Sequence, residues 1–225
     1  MFLSQFKHAH LKPLLKKSSL PANDLNSYRL IFNLSFISKV LEKVLFCRLN
    51  AHSNCKNLSN VFQSAYRQFH STETALRNVH NDIALNMDKG KVTALTLLDL
   101  SAAFDTIDYS VLLDRLHDWS GISGTALARI RSINKNKKLF CDVPQISVLG
   151  PLLFTLYTTP LSSLIRSHKL DRHLHADDTQ AYISLSTADI DLCLKQFDDC
   201  LSDISGWMTN NKLRLNADKT DLFTV

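Results

Sequence analysis

The sequence predicts an α+β fold in which helices flank a few short strands. Three observations predict it. The apolar run Val92-Thr93-Ala94-Leu95-Thr96-Leu97-Leu98 stops abruptly at Asp99. A second β-type segment, 172–184, holds Asp177-Asp178 at or beside a hairpin turn. The stretches around them repeat apolar residues at helical rather than alternating spacing, and no regular βαβ alternation appears. With 225 residues, 45% of them hydrophobic, the chain is long enough for one large domain or two small lobes around a core.

In chain order, apolar positions Ile37, Val40, Leu41, Val44 and Leu45 predict a helix over 35–48, with Asn33 or Ser35 as its cap. Leu76, Val79, Ile83, Ala84 and Met87 predict a second helix over 72–88, stopped by Gly90. The strand at 92–98 follows. Val111, Leu112, Leu113 and Leu116 give a short helix at 110–119. Asp105 and Asp108 precede it, where acids complement the helix dipole. Gly150-Pro151 opens a mostly apolar helix over 150–166. After the hairpin, Ile190, Leu194, Phe197, Leu201, Ile204 and Met208 form the stripe of an amphipathic helix. Leu213 and Leu215 then alternate, and a last strand is expected at 222–225. Trp119 and Trp207 read as packing residues.

Composition narrows the classes of function. The formal charge of +5 suits a polyanionic partner. The first 23 residues contain Lys7, Lys12, Lys16 and Lys17 and no acid, but they lack the arginines of a transit peptide. No stretch has the length and apolarity of a membrane span or of a signal-peptide core. The five cysteines lack paired close spacing, so neither a zinc motif nor a disulfide framework follows, and they read as free thiols in a reducing compartment, which implies an intracellular setting. His173 and His175 alternate beside Asp177 without a further ligand at suitable spacing, so they read as ordinary strand residues.

The acids carry the chemistry. An ionised carboxylate at the end of an apolar strand must be paired or metal-bound. Two such sites brought together would offer hard oxygen ligands, the preference of Mg²⁺. Two ions about 3.5–4 Å apart serve phosphoryl transfer in polymerases and nucleases.

The residues around the acids carry a resemblance. Leu97-Leu98-Asp99-Leu100-Ser101-Ala102-Ala103-Phe104-Asp105 resembles the first catalytic motif of reverse transcriptases. Val143-Pro144-Gln145-Ile146-Ser147-Val148-Leu149-Gly150-Pro151 resembles their substrate-binding motif, His175-Ala176-Asp177-Asp178 their Tyr-Ala-Asp-Asp signature, and Leu213-Arg214-Leu215-Asn216-Ala217-Asp218-Lys219-Thr220 the lysine motif that follows. Upstream, Leu14-Leu15-Lys16-Lys17, Tyr28-Arg29-Leu30-Ile31 and Gln63-Ser64-Ala65-Tyr66-Arg67 resemble the fingers motifs. The order is that of the family and covers nearly the whole chain. The match is nearest to non-LTR (LINE-type) retrotransposon reverse transcriptases.

The resemblance implies a right-hand polymerase: fingers over 1–90, and a palm over 91–225 with a small antiparallel sheet packed on helices. The chain ends just after the lysine motif, so no thumb is expected within it. The implied reaction is RNA-directed addition of deoxynucleotides to a DNA 3′-hydroxyl by two-metal phosphoryl transfer. RNA template, DNA primer and deoxynucleoside triphosphates are the implied partners, and two Mg²⁺ ions the implied cofactors. Asp99 and Asp177 would hold the ions, with Asp178 a supporting carboxylate that points less directly into the site. Lys219 would protonate the leaving pyrophosphate. Lys16 or Lys17 and Arg29 would neutralise the triphosphate, Phe104 would act as the steric gate on the cleft floor, and Gln145 would touch nucleotide and template.

The chain also departs from the family. Ile146 replaces a glycine, and its β-branched side chain disfavours close backbone approach to the nucleotide. His175 replaces a tyrosine. Leu30 and Phe32 replace the usual proline and serine. The segment from Trp119 to Pro144 is short, and 131–138 reads as spliced rather than folded, with a palm strand pair missing. These departures frame an alternative: a catalytically inactive retrotransposon remnant with at most weak nucleic-acid binding.

Overall fold

A computed structural model describes residues 9–100, 103, 106–134, 147–186, 190–216 and 219–225. By its internal contacts the chain divides into two units, 1–58 with 107–154 and 59–106 with 155–225.

In the first unit, β1 (Ala9–Leu15) and β2 (Tyr28–Leu34) form an antiparallel pair, from Leu15 opposite Tyr28 to Ala9 opposite Leu34. Helix α1 (Phe36–Cys55) starts at Ser35, whose side chain accepts the Ser38 N–H, so Ser35 rather than Asn33 is the cap. It runs seven residues past the predicted end at 48. Much of its expected apolar stripe is exposed: Ile37, Val40 and Val44 lie open to solvent and Leu41 and Leu45 are half-buried, while Ser38, Glu42, Leu49 and Ser53 are buried. The reason is polar. The Glu42 carboxylate accepts from the Ser147 hydroxyl at 2.9 Å and the Val148 N–H at 3.0 Å. Ser147 Oγ in turn accepts the Leu149 and Gly150 N–H groups, which begin α5 (Gly150–Ser167). Turning Glu42 inward satisfies that helix start and leaves Ile37, Val40 and Val44 outside.

Helix α3 (Tyr109–Asp118) is capped by Asp108, which accepts from the Ser110 and Val111 N–H groups, and it buries Leu112, Leu113 and Leu116. Helix α4 (Gly124–Asn134) corrects the reading of its region. Residues 131–134 are its last turn, not unfolded splice. The helix buries Ile130 fully, which is too thin a stripe to show as periodicity, and Ala126, Leu127, Ala128 and Arg129 supply propensity instead. The Tyr109 hydroxyl donates to the Ile130 carbonyl at 2.6 Å. Trp119, read as a packing residue, is 54% exposed.

The second unit is built on a four-stranded antiparallel sheet in the order β4-β5-β3-β6, comprising β3 (Val92–Leu98), β4 (Asp171–His175), β5 (Asp178–Leu185) and β6 (Asp221–Thr224). Helix α2 (Thr72–Asp88) packs on β3 and β4, and α6 (Ile190–Asn210) on β5. Helix α2 has the predicted bounds. It opens with a reciprocal Ser71–Thr74 capping box, and Gly90 follows at φ +67°. Its buried face centres on Ala75 and Val79, with Leu76 and Met87 outside. Helix α6 buries Phe197, Cys200, Ile204 and Met208, so a small thiol takes the core position expected of Leu201. Burial, with the Asp203 charge, pushes that thiol up to about 11. The Tyr157 hydroxyl of α5 donates to the Asn211 carbonyl at 2.6 Å, tying α5 to the end of α6. Among the described residues no helix is long and apolar enough to cross a membrane.

Glu42→Ala strands the Ser147 and Val148 donors. It should cost about 1–3 kcal/mol in urea unfolding, and Glu42→Gln, which keeps a carbonyl acceptor, clearly less.

Candidate active site

Strand pairing assembles the site. Leu98 of β3 pairs with Thr179 of β5, so the next position, Asp99, falls across from Asp178 at the same end of the sheet. The two carboxyls are close enough for Asp99 to act on Asp178. Asp178 thus stands opposite Asp99 across the β3–β5 pair. Partial burial, then the charges of Asp177 and Asp99, hold its carboxyl above the usual carboxylate range, with His175 opposing. Asp177 stands in the two-residue turn between β4 and β5.

The first residue of that turn, Ala176, has φ +58°. A two-residue hairpin turn calls for positive φ there and favours glycine. Alanine at the position is strained, and the strain lies one residue before the acids. The Ala176 N–H is held by Gln63 Oε1 at 3.1 Å.

The lysine motif closes on the other side. Leu100 and Leu215 form an antiparallel bridge. The Asn216 N–H donates to the Asp99 carbonyl at 2.9 Å, and Asn216 Nδ2 donates to Asp99 Oδ2 at 2.9 Å. Lys219 Nζ lies 3.3 Å from the same oxygen, with Asp99 largely covered and Lys219 largely open. A cation and an amide donor therefore offset the charge of Asp99.

Residues 60–67, grouped in sequence with the fingers motifs, lie along β4. Gln63 bridges Leu174 in parallel, the Ser64 N–H donates to the Leu174 carbonyl at 2.9 Å, and the Leu174 N–H donates to the Phe62 carbonyl at 2.8 Å. Ser64 Oγ and His173 Nε2 are 2.8 Å apart. Burial, followed by the neighbouring His175 and His70, lowers the His173 pKa, so the ring stays neutral as an ordinary buried strand residue. Tyr66 lies near enough to Asp177 for that charge, after burial, to raise its hydroxyl pKa.

Of the residues singled out by sequence, Asp99, Asp178 and Lys219 come together in this unit, with Asp177 next to Asp178 in the turn. Lys16 and Lys17 are exposed in the other unit, just after β1. Arg29 pairs with Leu14 in the β1–β2 ladder. Phe104 and Gln145 lie outside the described residues, as do Ile146 and 135–138. Sequence reasoning assigned no role to Asn216, Gln63 or Tyr66. Asn216 stands in the lysine motif three residues before Lys219, and that proximity is its signal in sequence.

Three carboxylates are the right donors for a hard divalent cation, and the raised Asp178 marks a negative cluster that such a cation would relieve. Among the described residues, no group of three or more His, Cys, Asp or Glu side chains is already drawn together as a metal cage. By donor chemistry, Asp99, Asp177 and Asp178 are the residues that could hold Mg²⁺.

Comparison with known proteins places this architecture. Telomerase from Candida tropicalis, truncated from its C-terminal domain, matches over all of this chain and 51% of its own, with a TM-score of 0.67 at 14% identity. A second Candida tropicalis telomerase structure, in complex with a fragment of telomeric RNA, matches 99% of the chain and 41% of its own, at a TM-score of 0.61 and 13% identity. The fold is therefore that of a polymerase fingers and palm, with mixed helices and a small antiparallel sheet. The reverse transcriptase (RNA-dependent DNA polymerase) family matches residues 15–225, and the chain belongs to it. Its similarity runs to LINE-type elements of Drosophila melanogaster. The probable RNA-directed DNA polymerase from transposon BS is 25% identical over 97% of the chain. The RNA-directed DNA polymerase from mobile element jockey is 24% identical over 92%. The chain spans about a quarter of the length of these curated relatives, 26% and 24%.

Two substitutions probe this geometry. Ala176→Gly relieves the left-handed strain at some entropic cost and should stabilise the chain by about 0.5–1 kcal/mol in urea unfolding. Asp178→Asn should stabilise it at neutral pH. A raised folded pKa means that ionising Asp178 opposes folding above that pKa. The difference between variant and parent should therefore shrink as pH falls through the raised folded pKa, and vanish below the ordinary carboxylate range.

Proposed function

We propose that this chain is the fingers (1–90) and palm (91–225) part of an RNA-directed DNA polymerase, transferring deoxynucleotides to a DNA 3′-hydroxyl on an RNA template. The observation that carries the reading is the β3–β5 register, which sets Asp99 against Asp178, together with Lys219 and Asn216 on Asp99. Asp99, Asp177 and Asp178 would hold Mg²⁺, two ions in all. Bound there, the metal supplies Lewis-acid activation of the primer hydroxyl and charge neutralisation on the triphosphate. Asn216 orients the Asp99 carboxylate. Lys219 Nζ carries the proton for the leaving pyrophosphate. Lys16, Lys17 and Arg29 bind triphosphate oxygens, Phe104 excludes a ribose 2′-hydroxyl, and Gln145 reads the nucleotide–template pair.

The test is primer extension on an RNA template with Mg²⁺. Asp99→Asn and Asp177→Asn should each lower extension by roughly 100-fold or more, the scale of removing one group from a preorganised charge constellation. Extension that survives both substitutions overturns the reading. A second reading, a remnant that binds nucleic acid without extending it, rests on Ile146 in place of the family's glycine. A parent chain that binds template–primer but extends nothing favours it.

Binding has its own signature. Replacing Lys16 and Lys17 together by alanine should weaken binding to single-stranded RNA. It should also flatten the salt dependence by about 0.7 in log–log slope for each phosphate that the variant no longer neutralises.

A further inference from the structure

Gln63 is buried in the second unit, 6% exposed, and its side-chain oxygen receives two backbone donors, the Ala65 N–H at 3.0 Å and the Ala176 N–H at 3.1 Å. Two N–H groups converging on one atom require an acceptor, so the chemistry itself fixes the carbonyl end of this amide at the turn. The contact joins positions 113 residues apart. It falls on the strained residue of the hairpin, because Ala176 at φ +58° is followed at once by Asp177 and Asp178.

We propose that Gln63 is a positioning residue for the acidic turn: by capping the Ala176 N–H it holds the left-handed turn conformation that presents Asp177 and Asp178 to a divalent cation. The proposal rests on the reading of the acids given above and assigns them a support from outside their own motif. The segment is placed for this role. Main-chain bonds to Leu174 on both sides of Gln63 lock its backbone against β4, and Ser64 meets His173, so the Gln63 side chain has one direction to take. The same segment brings Tyr66 into the field of Asp177. The two-residue turn asks alanine for a strained positive φ, and the Gln63 acceptor helps to hold it; without that acceptor the Ala176 N–H loses its partner, and a turn that relaxes rotates the peptide leading into both acids. Groups that orient ligands from behind commonly govern cation affinity by roughly 10–100-fold.

The experiment compares the parent chain with Gln63→Met, which keeps length and bulk but removes the acceptor, and Gln63→Glu, which keeps the acceptor oxygens. Two quantities are read well below the urea midpoint of each variant: hydrogen-exchange protection of the Ala176 amide, and affinity for Mn²⁺ as a spectroscopic probe of the acids. Gln63→Met should reduce Ala176 protection by about tenfold or more and weaken Mn²⁺ binding by about tenfold, the lower end of that range. Gln63→Glu should retain both within a few-fold. Unchanged Ala176 protection in Gln63→Met overturns the proposal, and so does a Gln63→Glu variant that falls as far as Gln63→Met. Unchanged Mn²⁺ affinity alongside reduced protection overturns the link from turn to acids. A parent chain that fails to bind Mn²⁺ strikes instead at the reading of the acids as a cation site, while the Ala176 amide still decides whether Gln63 sets the turn.

Discussion

The pairing of β3 with β5 is the constraint on which the site depends. Side chains alternate across a sheet, so a shift of one residue would turn every buried position outward. Leu98 and Thr179, the last pair before the acids, are both almost fully buried, and that burial fixes the register. The apolar interior thereby dictates the placement of two carboxylates that by themselves repel. Asn216 and Lys219 then offset the repulsion from outside the sheet, and they belong to the segment that leads into β6. The site is thus an arrangement in which hydrophobic burial sets positions and a few polar interactions make the result tolerable.

Where the sequence was legible, the signal was strong and local. The run 92–98 ended where its apolar residues ended, and α2 began at a capping pair and stopped just before a glycine, signals adjacent to the helix in sequence. Faces were less legible than spans. Helix α1 shows a good apolar stripe, yet the buried side is the one that carries Glu42, because a helix start 105 residues away needs its carboxylate. Helix α6 prefers Cys200 to Leu201 for its core by one step of rotation, too small a difference for periodicity to resolve.

The site shows the same division. The acids and Lys219 stand out in sequence because each sits in a compact motif. Gln63 and Asn216 do not, since their roles rest on hydrogen bonds to partners 113 and 117 positions away. A polar residue in a loop gives no periodic signal, and only the fold reveals what it faces. The pairing of β1 with β2 was similarly hidden: the chain turns back after an intervening loop that carries no two-residue hairpin signature.

Strand β3 is the first strand of its sheet to be synthesised, and both of its neighbours come much later. Its β5 edge waits for residues 179–185, and its β6 edge for residues 221–224. Until they emerge, an apolar strand presents two open rows of hydrogen-bonding groups, the arrangement most prone to pair with another chain. Sequence separations of this size also slow the search for native pairing. A stall or truncation anywhere between residues 98 and 179 therefore leaves the central strand without its partners and open to pairing with another chain.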